Sequence, residues 1–108
     1  MSMDAAVALF RSLGDPTRLV ILTRLADGEA RVVDLTRLLE LPQSTVSSHL
    51  ACLRDCGLVG YRPQGRQSFY SLTRPELLDL LRSAERLLAG TGEAVALCPA
   101  HGVSAAAS

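Results

Sequence analysis

The chain has 108 residues, 48% hydrophobic and 20% charged, with a formal net charge of zero. This is the composition of one globular domain; it excludes a disordered chain, and the length leaves no room for a second independent core. Eleven arginines without a lysine balance eleven acids, which argues against indiscriminate binding to nucleic acid. No uncharged stretch reaches the roughly 18 residues of a membrane span, and Met1-Ser2-Met3-Asp4 lacks the basic start of a secretory signal. The expected location is the cytoplasm, with no membrane partner. Three cysteines in that compartment point to metal or redox chemistry before a disulfide framework.

The first predicted helix covers Asp4 to Leu13, with Val7, Phe10 and Leu13 at helical spacing and Gly14 as its stop. Asp15 as N-cap and Pro16 at the first helical position open a second. Its apolar stripe is Leu19, Leu22 and Leu25, and it ends at Gly28. A third runs from Arg31 to Leu39 with Leu35, Leu38 and Leu39 inward. Glu40-Leu41-Pro42-Gln43 reads as a turn, because Pro42 disfavours helix at Leu41. The fourth helix, Ser44 to Asp55, turns Val46, Leu50 and Leu53 inward and is capped by Gly57. Leu58–Arg62 and Gln67–Leu72 read as a hairpin around the loop Pro63–Arg66. Pro75 opens a last helix to about Ala89, with Leu77, Leu78, Leu81, Ala84, Leu87 and Leu88 on an apolar face wide enough to imply burial against a partner subunit. Gly90-Thr91-Gly92 breaks it, and the small residues Val103–Ser108 are expected to be loose.

These elements describe a mainly α fold with a β-hairpin wing, a dimeric winged helix-turn-helix. Residues 1–92 form the DNA-binding and dimerisation domain and residues 93–108 a C-terminal tail. Charge supports the DNA reading: residues 43–74 hold four arginines against Asp55, a local +3, between flanking segments of −1 and −2. The fourth helix begins Ser44-Thr45-Val46-Ser47-Ser48-His49. With Val46 and Leu50 inward, Ser44, Thr45, Ser47, Ser48 and His49 face out. Short hydroxyls bond phosphate oxygens and base edges, and a helix N-terminus favours a phosphate. Gln64 and Arg66 at the hairpin tip reach an adjacent groove or backbone. Each residue has an ordinary use on its own, as a cap, a solvated imidazole or a strand end; the combination points to double-stranded DNA.

Three blocks carry a resemblance. They are Leu13-Gly14-Asp15-Pro16-Thr17-Arg18-Leu19 with Ile21-Leu22, then Gln43 to Leu50 with Leu53-Arg54 and Gly57-Leu58-Val59, then Gly65-Arg66-Gln67 with Tyr70 and Leu72. In this order, over about residues 7–90, the chain resembles the ArsR/SmtB family of winged-helix repressors. The resemblance implies a homodimer with its first and last helices at the subunit interface. It also implies an operator of two-fold symmetry, and derepression by an inducer that is usually a metal ion.

Family members place metal ligands on different elements. A Cys-x-Cys pair at the start of the third helix is absent, since Glu29 to Leu35 holds no thiol. Residues 75–89 hold Glu76, Asp79 and Glu85 but no His, which argues against a last-helix site. Cys52 and Cys56 remain, four residues apart on one helix flank. Arg54 between them favours thiolate. Cys98 is the other thiol, with His101 a further candidate ligand. This arrangement resembles the CmtR-like cadmium- and lead-sensing subgroup, and the resemblance carries the ligand role to Cys52, Cys56 and Cys98. An all-sulfur site selects soft ions: Cd(II) or Pb(II), and by the same logic As(III) or Hg(II).

Two other readings stay open. Cys52 and Cys56 could form a redox pair sensing oxidants, or the chain could bind metal without regulating anything. An enzyme is not expected, because there is no nucleophile–base constellation and no Gly-rich phosphate loop.

Overall fold

The computed structural model describes residues 2–93, 95 and 97. In chain order these form α1 (Asp4–Leu13), α2 (Pro16–Ala26), β1 (Ala30–Arg31), α3 (Val32–Leu39), α4 (Gln43–Asp55), β2 (Val59–Gln64), β3 (Gln67–Leu72) and α5 (Pro75–Gly90). The strands make one antiparallel sheet in the order β1-β3-β2. A mainly helical chain with this small sheet is a winged helix-turn-helix, as the sequence implies.

Local chemistry sets the element ends. The Asp15 carboxylate accepts the Arg18 backbone N–H at 3.0 Å, and Pro16 supplies a first helical residue with no N–H to satisfy. α4 closes with two bonds: the Gly57 N–H donates to the Arg54 carbonyl and the Leu58 N–H to the Leu53 carbonyl. That closure needs a left-handed residue, which Gly57 provides at φ 76°. The fully buried side chains of α4, Val46, Leu50 and Leu53, meet Ile21 and Leu22 of α2 and Leu35 of α3 in one core.

Several expectations are corrected. Leu38 is 52% exposed instead of inward. Val32, Leu35 and Leu39 share a stripe on α3, and Leu38 lies about 90° off its centre at 100° per residue. In α2 the buried residues are Ile21, Leu22 and Leu25, and Leu19 is only half-buried. The four-residue loop Pro63–Arg66 is tighter than expected. Gln64 pairs with Gln67, so Gly65 and Arg66 alone make the turn, with Gly65 at φ 63°. Pro63 sits inside β2, tolerated because β2 is an edge strand. β1 was not foreseen. Its two residues pair with Tyr70 and Phe69, too short a segment to carry an alternating pattern.

α5 buries Leu77, Leu81 and, unexpectedly, Glu85. The Glu85 carboxylate accepts the backbone N–H of Leu97, and Leu97 is itself buried in the core. The segment just before Cys98 is thereby tied to α5. Cys98, His101 and the expected loose end at residues 103–108 lie outside the described residues.

Candidate functional site

The start of α4 presents Ser44, Ser47 and Ser48 to solvent, with Thr45 and His49 half-buried at the margins. His49 is not merely solvated. Arg18 on α2 donates from Nε to His49 Nδ1 at 3.2 Å. Nδ1 is thus the acceptor of this bond. The Arg18 backbone amide in turn holds the Asp15 carboxyl below its ordinary range. Arg18 therefore orients a side chain of the reading helix, a role sequence spacing gives no sign of because the partners are 31 residues apart.

Gln64 and Arg66 lie exposed on the wing, on either side of Gly65. Arg62 is occupied elsewhere. It makes a two-pronged pair with Glu29 at 2.9 Å for both bonds, donates to Gln64 Oε1 at 2.7 Å, and lies 4.8 Å from the Phe69 ring centre. That pairing holds the Glu29 carboxyl below its usual range. Arg66 is left as the cation at the turn. An open cleft of about 330 Å³ between wing and helices is lined in part by Gln43, Arg66, Gln67 and Arg31. It places the wing turn beside the N-terminus of the reading helix, the arrangement that inserting α4 in a groove with the wing on the backbone requires.

Arg31 links this region. Its Nη2 and Nε donate to the two oxygens of Asp34 at 2.9 and 3.1 Å, its backbone N–H donates to Asp34 Oδ2 at 2.9 Å, and its Nη1 reaches Gln67 Oε1 at 3.4 Å. The guanidinium beside Asp34, with the amide, lowers its carboxyl to about 2. A carboxyl with a depressed folded pKa stabilises the protein above its unfolded value, about 4. That contribution disappears as pH falls from about 4 towards 2. Asp34→Asn is therefore expected to cost about 1 kcal/mol at pH 7 and roughly a third of that at pH 2.5, where the folded carboxyl is still mostly ionised, read from denaturant melts at the two pH values.

Cys52 and Cys56 are free thiols one helical turn apart, linked along the backbone by the Cys56 N–H to the Cys52 carbonyl at 3.1 Å. Cys52 is half-buried and Cys56 exposed, the flank position expected from the wheel. Arg54 lies between them in sequence, its guanidinium 5.5 Å from the Tyr61 ring centre. The Cys56 sulfur lies 3.2 Å from the Ser12 hydroxyl on α1, a contact the sequence reading missed. Two adjacent thiols on one flank fit a soft ion. Among the described residues no group of three or more His, Cys, Asp or Glu is placed to hold a metal.

Comparison with known proteins agrees with this layout. The family model for "Bacterial regulatory protein, arsR family" matches residues 15–61. A protein of Streptomyces lividans named "Probable mercury resistance operon repressor" is 37% identical over 95 residues, covering 88% of this chain and 76% of its own length. The HTH-type transcriptional regulator CmtR of Mycobacterium tuberculosis is 46% identical over 77 residues, 71% of this chain; the match spans 65% of that relative's length. Among solved structures, the homodimeric winged helix-turn-helix DNA-binding domain of Mb0332 from Mycobacterium bovis superposes with a TM-score of 0.68 at 26% identity, covering 80% of this chain and 84% of that one. A helix-turn-helix with its reading helix, wing and flanking helices in this order, matched by these regulators, identifies the chain as a member of the ArsR family of bacterial transcriptional regulators.

Proposed function

We propose that this chain is a homodimeric, metal-responsive transcriptional repressor, whose apo dimer holds operator DNA and releases it when Cys52, Cys56 and Cys98 bind a soft ion, Cd(II) or Pb(II). One observation carries the reading: two free thiols, one turn apart, lie at the end of the same helix whose first two turns offer Ser44, Ser47 and Ser48 to solvent. Signal and DNA contact thus share one rigid element. Sulfur-only donors select soft ions, and a relative named for mercury resistance supports an inducer of that kind. As(III) and Hg(II) belong to the same donor chemistry.

Homodimer formation is supported by the outer apolar faces of the first and last helices. Met3, Val7, Phe10 (61% exposed) and Leu87 (71% exposed) have no cover within the described chain. A patch of that kind marks an interface. Residues 1–92 form the DNA-binding and dimerisation domain; residues 93–108 supply the third thiolate. The two-fold axis sets two reading helices about 34 Å apart, one turn of duplex. Ser44, Thr45, Ser47, Ser48 and His49 then contact bases and phosphates in the major groove, with Gln64 and Arg66 on the adjacent backbone or groove. The protein works in the cytoplasm, where its DNA and reduced thiols are. Binding of the ion ties the end of α4 to the tail, which displaces the reading helix and weakens the operator complex by about 1–3 kcal/mol of coupling.

Anaerobic Cd(II) titration of the reduced protein tests the site. We expect one tight equivalent per protomer by thiolate-to-metal ultraviolet absorbance, and a loss of about a third of that intensity in Cys98→Ser, as one of three thiolates is removed. Full intensity in the variant, or no band in either protein, would overturn the assignment.

A further inference from the structure

Among the described residues, Ser12 and Glu85 are the buried polar side chains. Ser12 is 4% exposed and its hydroxyl touches the sulfur of Cys56 at 3.2 Å, bridging α1 to the end of α4 across 44 residues of sequence. On α1 it lies roughly 140–180° around the helix from Met3, Val7 and Phe10 at 100° per residue. Those three are the exposed large hydrophobic residues of α1 and its N-cap. One side of α1 therefore meets the thiol and the other faces solvent with the surface argued above to meet a second copy.

We propose that Ser12 is a positioning residue that carries occupancy of Cys56 to α1 and so to the dimer interface. The proposal rests on the reading of Cys56 as an inducer ligand. In the free thiol either partner can donate the shared hydrogen. Once Cys56 is a metal thiolate its sulfur has no hydrogen left, and Ser12 must donate. The hydroxyl then has one orientation, and a displacement of the sulfur pulls α1 with it. Ser12 is itself buried although Cys56 is exposed, and a buried hydroxyl left unpaired costs free energy. Ser12 does not bind the ion and is not required for it to bind.

The test uses the reduced full-length chain, Cd(II) as the ion, and a duplex selected by the apo protein from randomised DNA. Wild type and Ser12→Ala are compared by thiolate absorbance and by fluorescence anisotropy of the duplex with and without Cd(II). The expected result is an unchanged absorbance titration and an apo duplex affinity within about twofold. The weakening by Cd(II), typically about 5–150-fold for such coupling, should fall to about threefold or less. Equal weakening in both proteins would overturn the relay, as would loss of the absorbance band in Ser12→Ala, which would make Ser12 part of the binding site itself. Absence of the band in wild type would instead overturn the metal reading beneath it. Should Ser12→Ala fail to fold, the near-isosteric pair Ser12→Thr and Ser12→Val decides: the response is kept with the hydroxyl and lost without it.

Discussion

Cys52→Ser is expected to leave the operator complex standing at Cd(II) concentrations that release DNA from the wild-type protein. Serine keeps the size of the side chain but offers a hard oxygen where a soft ion needs sulfur. Cys52 is half-buried on the flank of α4, away from Val46, Leu50 and Leu53, so the core is untouched. The apo complex should be equally tight, within about twofold, because Cys52 lies one to two turns beyond Ser44, Ser47 and Ser48 and serine keeps its size. The response should shrink from the roughly 5–150-fold weakening of a coupled inducer to nearly none. Anisotropy of a labelled duplex, titrated with Cd(II) in reductant, measures both quantities. Release from Cys52→Ser at wild-type concentrations would show that the signal enters elsewhere. Release by an oxidant without metal, reversed by a thiol reductant, would favour the redox reading of the same pair. Arg66→Ala is a useful contrast: it should weaken duplex binding with and without metal and flatten the salt dependence, as loss of a phosphate contact does.

The second large effect concerns stability. Leu50→Ala should destabilise the fold by about 3 kcal/mol. Leu50 is fully buried at 0% exposure in the cluster that α4 shares with α2 and α3. The cost is the lost transfer of the removed carbons plus the cavity they leave, which the close-packed elements around α4 cannot fully close. With total stabilities of about 5–15 kcal/mol for domains in general, this is a large fraction. The melting temperature should fall by roughly 12–24 °C at fixed protein concentration, the concentration mattering because dimerisation adds to stability. Leu38→Ala is the control. Its side chain is 52% exposed, and its loss should stay within about 0.5 kcal/mol. A large loss at Leu38 would mean that a partner covers this face of α3.

Most of the fold was legible because its signals are local. α1 spans the predicted residues, Asp15-Pro16 and Gly57 act where their chemistry places them, and the spacing of Val46, Leu50 and Leu53 finds the buried face of α4. The reading helix and the wing follow from the same signals, and with them the candidate DNA contacts. Illegible features depend on partners distant in sequence. β1 exists only because β3 offers Tyr70 and Phe69 to pair with, and Leu38 is exposed because only Val32, Leu35 and Leu39 share the α3 stripe.

At the candidate site, the spacing of Cys52 and Cys56 was itself a sufficient clue, since four residues on a helix place two thiols on one flank. The partners of these and other polar groups were not. Arg18 against His49, Ser12 against Cys56 and Glu85 against Leu97 join elements 31, 44 and 12 residues apart. The sequence by itself determined most of the inward face of α4, where most helices begin and end, and which side chains have the chemistry to meet DNA or a soft ion, because periodicity, capping and donor type act over a few residues. Only the tertiary structure decided that a buried serine stands behind one thiol and that an arginine fixes the histidine of the reading helix. A buried polar group takes its partner from whatever the packed core brings beside it, and neither propensity nor spacing encodes that.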